Sequence, residues 1–121
     1  SIPPLTQSIE NLKVSFNKKT ILKIVVDNKI VASGQAELIG DTCHIGRMAV
    51  WPFLKGQGFG SKLLSSLEIV FPTAKRLELF TGSKSQSNLT MYFKRGYSQF
   101  KQDKLGETTI IYLEKVKSSQ K

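Results

Sequence analysis

The sequence of 121 residues contains one cysteine, one histidine and one tryptophan. The cysteine, Cys43, cannot form a disulfide within the chain, and there is no second cysteine to share a metal ion with it. It lies in the largely apolar pattern Thr42-Cys43-His44-Ile45. We therefore expect a buried, unreactive thiol at this position and no bound metal.

Long apolar runs are also lacking. No segment approaches the roughly 18 to 20 uninterrupted apolar residues of a transmembrane helix, and the first residues lack the basic and then apolar character of a secretory signal. These absences disfavour membrane-spanning and secreted classes. They predict a soluble, cytoplasmic protein without a membrane partner.

Acidic residues are few, because 9 Asp and Glu stand against 18 Lys and Arg and give a formal charge of +9. A chain with this excess attracts anions, which include nucleotides, nucleic acids and acidic surfaces. The net charge by itself does not choose among these partners.

The composition that is present suits one globular core, since 40% of the residues are hydrophobic and no repeat or linker interrupts the chain. We predict a single domain over residues 1–121. Near the start, Pro3-Pro4 precedes a helix cap at Thr6 or Ser8, and the helical spacing of three apolar residues predicts a short amphipathic helix, with Ile9, Leu12 and Phe16 on one face.

A meander of three antiparallel strands is predicted next. Turn residues lie at Asp27 to Lys29 and at Gly40-Asp41, and β-branched residues are frequent between them. The predicted strands are Thr20 to Asp27, Ile30 to Ile39 and Thr42 to Val50.

The second half alternates between helix and strand. Helical periodicity runs from Phe59 to Phe71 and is stopped by Pro72, while Arg76 to Thr81 alternates like a strand. A second helix has Leu89, Tyr92 and Phe93 on one face and ends at Gly96, before a hairpin of Tyr97 to Lys104 with Thr108 to Val116 and a frayed tail of Lys117 to Lys121.

The segment Lys55-Gly56-Gln57-Gly58-Phe59-Gly60-Ser61-Lys62 has the composition of a phosphate-binding loop. Three glycines within five residues let backbone amides approach an anion, and the following helix contributes a partial positive charge at its N-terminus. The spacing matches neither a Walker A loop nor the Rossmann fingerprint. A turn that only allows close packing of a helix on a strand remains the alternative at this point.

The same region resembles the coenzyme A motif of the GNAT N-acetyltransferases. Arg47-Met48-Ala49-Val50-Trp51-Pro52 followed by Lys55-Gly56-Gln57-Gly58-Phe59-Gly60 is similar to that motif, with Lys55 where the family usually has Arg or Gln. The resemblance implies that the strand backbone runs beside the pantetheine arm and that the loop wraps the pyrophosphate. The implied contacts are Met48, Ala49 and Val50 for the arm and Lys55, Gly56, Gln57, Gly58, Phe59, Gly60 and Ser61 for the phosphates.

The segment Thr81 to Tyr97 resembles the family's later motif, in which Asn and Tyr four residues apart precede a Gly-aromatic pair. Helical spacing places Asn88 and Tyr92 on one face. The resemblance implies that Asn88 hydrogen-bonds the coenzyme arm and that the Tyr92 hydroxyl stands near its sulfur. Without the resemblance, a packed aromatic and a solvated asparagine would be the simpler interpretation.

The resemblance further implies an α+β fold (an α/β three-layer arrangement) with a mostly antiparallel, twisted central sheet flanked by helices. The implied activity is acetyl transfer from acetyl-CoA to a primary amine by direct attack through a tetrahedral intermediate. Tyr92 would be the general acid, since a tyrosine hydroxyl keeps its proton at neutral pH. Three residues are candidates for the base that deprotonates the amine, with a water chain as the alternative: His44, Glu37 and Glu78.

A strand and helix that usually open this family's domain are expected to be missing before Pro3-Pro4-Leu5-Thr6. The strand Thr20 to Asp27 would then lack a neighbour, and its exposed apolar edge predicts a homodimer or domain exchange.

The sequence is also compatible with two other functions. A nucleic-acid-binding module is suggested by an early cluster of lysines, although no base-reading motif accompanies them; these are Lys13, Lys18, Lys19, Lys23 and Lys29. The other is a protein or fragment that binds acetyl-CoA without turnover.

Overall fold

A computed structural model describes residues 7–14 and 18–117. Within them seven strands form one sheet in the order β1-β2-β3-β4-β5-β7-β6. The strands are β1 (Gln7–Val14), β2 (Lys19–Val26), β3 (Lys29–Ile39), β4 (Thr42–Val50), β5 (Arg76–Gly82), β6 (Ser98–Leu105) and β7 (Thr108–Val116), and the helices are α1 (Phe59–Glu68) and α2 (Gln86–Lys94). Every neighbouring pair is antiparallel except β4 and β5. The predicted α+β class with a mostly antiparallel central sheet is confirmed.

Both helices pack on the same face of the sheet, because the residues that end α2 hydrogen-bond to the side chains of α1. Strand positions alternate accordingly: on β2, for example, Leu22, Ile24 and Val26 are buried while Ile21 and Lys23 are half-buried. No helix of the described residues covers the opposite face. We call that side the open face.

The predicted helix near the start is wrong, because this segment is strand β1, which pairs with β2 along its whole length. Three apolar residues at helical spacing are only a weak indication of a helix. The conformation is determined instead by pairing with the apolar strand β2, in which the fully buried Ile24 lies opposite Ile9. The prediction that the strand Thr20 to Asp27 lacks a neighbour is therefore also wrong. Thr6 and Phe16 lie outside the described residues.

The remaining elements follow the prediction closely. The β2–β3 hairpin turns through Asp27 and Asn28, whose φ angles of 50° and 66° fit a two-residue type I′ loop. Helix α1 ends at Glu68, three residues before Phe71, because the next amides bond to acceptors three residues back and Phe71 precedes a proline. Phe93 was expected on the buried face of α2 but is 50% exposed.

Helix α1 sits directly on the centre of the sheet. Its residues Leu63, Leu64 and Leu67 are fully buried. Gly34 on β3 makes this approach possible, since a Cβ there would lie 2.9 Å from Leu67 Cδ1. The close contact places the buried face of α1 directly on β3.

Cys43 is fully buried, as predicted. Burial raises the pKa of its thiol from an ordinary value of 9.0 to about 11. The thiol therefore stays protonated and unreactive at neutral pH.

The alkaline stability of the fold should reflect this thiol. Since the folded-state pKa is the higher one, the unfolding free energy is expected to fall by about 2 to 3 kcal/mol as the pH rises from about 9 to about 11. Urea unfolding at pH 8 and near pH 11 measures the loss. Cys43→Ala starts less stable but should lose less over this range, and equal losses in both proteins would contradict the assignment.

No helix in residues 7–14 and 18–117 is long and apolar enough to span a membrane.

Candidate active site

Strands β4 and β5 separate partway along their length. They pair in parallel at only three positions, of which His44 opposite Glu78 is the last. Both strands continue beyond that point, to Val50 and Gly82. A gap therefore opens between them, where strand amides and carbonyls that would otherwise pair are available to a ligand.

A β-bulge on β4 lies beside the gap. Gly46 and Ala49 pair with Gln35 and Ser33 on β3, so two residues of β4 stand opposite one residue of β3. The first of the two, Arg47, has a φ of 50°, which is uncommon for a residue with a side chain. Bulges leave a residue unpaired and turn its backbone, so the regular ladder between β3 and β4 is interrupted at Arg47 and Met48.

The glycine-rich loop forms an open helix N-terminus. Gly56 and Gly58 have φ angles of 84° and 85°, and Gly58 is the N-cap of α1. A Cβ at either glycine would meet no atom within 4 Å, so the surface above the loop is open. The Lys62 amide donates to the Gly58 carbonyl at 2.9 Å. The amides that come before it in the first turn of a helix have no carbonyl of the same helix to bond to. Such amides and the helix dipole favour an anion at this position.

A groove of about 1300 Å³ runs from this loop along β4 and the whole of α2. Most residues that the sequence assigned to the coenzyme line it: Met48, Ala49, Val50, Lys55, Gly56, Gly58, Gly60, Ser61, Asn88 and Tyr92. Gln57 and Phe59 do not. Gln57 is exposed at the tip of the loop, and Phe59 packs against the core.

The groove is lined by cations and, among the described residues, by no carboxylate. Besides Lys55, its charged residues are Lys84, Lys94 and Arg95. These three residues were not assigned to the site from the sequence. Lys84 precedes the polar run Ser85-Gln86-Ser87, which also lines the groove. This run of polar residues was the sequence feature that could have indicated the extent of the groove.

A smaller cavity of about 170 Å³ lies in the gap between β4 and β5. It shares three lining residues with the groove: Met48, Asn88 and Tyr92. Tyr92 is only 5% exposed, and burial raises the pKa of its hydroxyl above the ordinary value. The groove thus leads to the gap at a tyrosine that keeps its proton.

The three candidate bases lie together on the open face, next to the gap. Glu37 is opposite His44 on β3, and His44 Nδ1 lies 3.6 Å from Glu78 Oε2. None of the three lines the cavity itself. Arg76 adjoins them and donates to Glu78 at 2.7 Å. Partial burial lowers the pKa of Arg76, but hydrogen bonds to Glu114 and Glu78 outweigh this effect and raise it overall.

Arg95 joins the two helices behind the groove. Its Nη1 donates to Ser61 Oγ at 3.0 Å, and its Nη2 donates to Ser65 Oγ at 2.5 Å and Glu68 Oε1 at 3.3 Å. The Tyr97 hydroxyl also donates to Glu68, at 2.8 Å. Through these bonds the end of α2 is fixed to the first two turns of α1 and to Glu68 at its end.

In the described part of the chain, no group of three His, Cys, Asp or Glu side chains is arranged to hold a metal ion. The site is instead a cationic groove that leads to a gap between diverging parallel strands, an arrangement suited to an elongated anionic ligand.

Comparison with known proteins identifies the family to which this fold and groove belong. Residues 3–97, more than half of the chain, match the acetyltransferase (GNAT) family. The chain therefore belongs to the GNAT family of acetyl-CoA-dependent N-acetyltransferases. No curated sequence matches it significantly.

Three solved structures show the same fold. The ribosomal-protein-S18-alanine N-acetyltransferase from Escherichia coli has a TM-score of 0.84 at 15% identity, with 96% of this chain and 97% of that chain covered. An IAA acetyltransferase from Bacillus cereus has a TM-score of 0.77 at 19% identity, with 92% of this chain and 99% of that chain covered. A GNAT family acetyltransferase from Elizabethkingia anophelis, with acetyl-CoA bound, has a TM-score of 0.77 at 17% identity, with 91% of this chain and 97% of that chain covered.

Proposed function

We propose that this chain transfers the acetyl group of acetyl-CoA to a primary amine by direct attack of the amine on the thioester. The observation that carries the proposal is the junction of the two cavities: the cationic groove and the gap between β4 and β5 meet at Met48, Asn88 and Tyr92. A thioester at that junction would have the coenzyme on one side and the open face of the sheet on the other.

The phosphates of the coenzyme would bind at the N-terminus of α1. The amides of its first turn and the side chain of Lys55 supply donors and positive charge, and the glycine positions leave the surface open. The pantetheine arm would lie along β4 from Met48 to Val50, where the strand has no partner on the β5 side. Asn88 would hydrogen-bond this arm from α2.

The nitrogen loses two protons in the reaction, one before it attacks and one after it has bonded to carbon, and the departing sulfur gains one. The amine nitrogen forms a bond to the carbonyl carbon, and a backbone amide at the bulge of β4 would hold the oxyanion that results. The bond from carbon to sulfur then breaks, and the Tyr92 hydroxyl would donate to the departing sulfur. Its raised pKa keeps this proton in place until the sulfur becomes an acceptor.

The attacking amine must first lose a proton. Because α1 and α2 occupy the other face, the amine would approach from the open face, where His44, Glu37 and Glu78 lie. Solved relatives are named for chemically different acceptors, an alanine of a ribosomal protein and streptothricin among them. The proposal therefore specifies a primary amine and no particular acceptor.

Calorimetric titration of acetyl-CoA tests the binding part of the proposal. The parent chain should bind in the micromolar range. Gly58→Glu should weaken binding at least about 100-fold, because its carboxylate would repel the pyrophosphate and a side chain is strained at a φ of 85°.

Gly40→Glu is the matched control. Gly40 also has a positive φ, of 60°, and open space around its Cβ position, but it lies in the β3–β4 turn. This variant should bind acetyl-CoA like the parent. A folded parent that releases no heat would refute the proposed function, and equal losses in both variants would refute the assignment of the loop.

A further inference from the structure

Four ionisable side chains form a straight row across the open face, one on each of four adjacent strands. Glu37 on β3 lies opposite His44 on β4, His44 lies opposite Glu78 on β5, and Glu78 lies opposite Glu114 on β7. These residues are far apart in the sequence, and only the register of the sheet brings them into line. The row crosses the sheet at the last paired position of β4 and β5, directly before the gap opens.

Arg76 connects two carboxylates of this row, Glu78 and Glu114. Its Nη1 donates to Glu78 Oε1 at 2.7 Å and its Nε donates to Glu114 Oε1 at 2.5 Å. The guanidinium also lies 4.8 Å from the centroid of the Phe100 ring, which restricts it further. Glu78 consequently has one oxygen bound to Arg76 and the other turned toward His44.

These groups are partly shielded from solvent. The side chains of Arg76, Glu78 and Glu114 are 26%, 21% and 32% exposed, and that of His44 is 39% exposed. Charges at this depth interact more strongly than on a fully solvated surface, and a fixed geometry makes the interaction persistent.

We propose that Arg76 and Glu114 are positioning residues that hold Glu78 beside His44, and that this chain of charges sets the pH at which His44 accepts a proton from the acceptor amine. The inference rests on the proposed function for the role of the amine. It selects His44 as the base and gives Glu78 the task of orienting it. The imidazole acts only when neutral, so neighbouring charge controls the acid limit of activity.

Further residues lie opposite the ends of the row. From β3, Glu37 faces His44 directly, and from β2, Lys19 lies opposite Glu37. From β6, the residue opposite Glu114 is the uncharged Ser98. The residues directly opposite His44 on its two neighbouring strands are therefore carboxylates, Glu37 and Glu78, and Arg76 acts on the second of them.

The chain offers a direct measurement, because His44 is its only histidine. An NMR titration of the imidazole resonances of the full chain reports its protonation without any substrate. Glu78→Gln removes the nearest carboxylate, so the midpoint should move to lower pH by about half a unit or more.

Glu114→Gln provides an independent variant. With Glu114 neutral, the charge of Arg76 is less compensated, and the midpoint should move to lower pH although this residue is two strands away from His44. Lys101→Met is the control, since Lys101 is a cation of β6 that lies over Tyr112 and pairs with Asp103. It should move the midpoint by less than about 0.2 units. An unchanged midpoint in the Glu78 and Glu114 variants would overturn the proposal.

Rate measurements separate this inference from the proposed function. If the protein acetylates an amine, the acid limb of its pH–rate profile should move with the imidazole midpoint in each variant and disappear in His44→Asn. An acid limb that does not move with the imidazole midpoint would show that His44 is not the base. A parent that binds no acetyl-CoA, with midpoints that move as stated, would refute the proposed function and leave only the charge coupling.

Discussion

Tyr92→Phe is expected to lower kcat for acetyl transfer about 100-fold or more, the usual contribution of a positioned general acid. The change removes one oxygen and keeps the aromatic ring, whose centroid lies 6.0 Å from that of Tyr97. Packing should be preserved, and the dissociation constant for acetyl-CoA should change by less than about threefold, since the hydroxyl acts mainly on the sulfur as it departs. Release of the coenzyme thiol in the presence of an accepted amine measures the effect.

Tyr112→Phe is the matched control for this experiment, because Tyr112 is a tyrosine of β7 that lines neither cavity. Its rate should remain within about twofold of the parent's. The pH profile adds a second criterion. Since burial raises the pKa of Tyr92, the parent should lose activity only above about pH 10, and the variant should lack that limb. A Tyr92 variant as active as the control would make Tyr92 a packing residue.

Arg95→Met should lower the free energy of unfolding by about 1 to 3 kcal/mol, between the cost of breaking an exposed ion pair and that of breaking a buried one, because the Arg95 side chain is 27% exposed. The side chain of Glu68 is 11% exposed and would keep only the Tyr97 hydroxyl and the more distant Lys115 ammonium, at 3.8 Å. Ser61 and Ser65 would lose the donor that ties them to α2. Urea unfolding with a two-state fit measures the loss.

The double variant with Glu68→Gln tests the cause of that loss. Replacing both charged partners removes the uncompensated carboxylate, so the double variant should be less destabilised than the sum of the two single variants. Lys94→Met, which removes the adjacent exposed cation of α2, should cost less than about 0.5 kcal/mol. If the Arg95 and Lys94 variants were equally stable, Arg95 would not be fastening the two helices.

The parts of the fold that the sequence predicted are those specified by local chemistry. The Asp27-Asn28 turn, the glycines at positive φ before α1 and the alternation of Leu77 and Leu79 can each be recognised within a few residues. The two motif segments predicted most of the groove for the same reason. They are short stretches whose residue types and spacing suffice to identify the backbone they form.

The features that the sequence did not predict depend on contacts between distant segments. The first strand was mistaken for a helix because its pairing with β2, and not its own pattern, determines its conformation. Lys84 and Arg95 line the groove because α2 lies along it, and the position of α2 cannot be recognised from the residues around them. The row from Glu37 to Glu114 exists only through three strand registers. No local pattern contains that information.

The bulge on β4 changes which side chains of this strand face the helices. Up to Gly46, odd-numbered side chains such as Cys43 and Ile45 face the helices, and His44 faces the opposite side. After the extra residue the parity is reversed, so that the even-numbered Met48 lies against Gly34 on the helix side. A deletion of Arg47 would bring Met48 directly opposite Gly34 in a regular ladder, and Met48 and His44 would still face opposite sides of the sheet. What the deletion would remove is the extra residue whose turned backbone interrupts the pairing of β4 beside the gap.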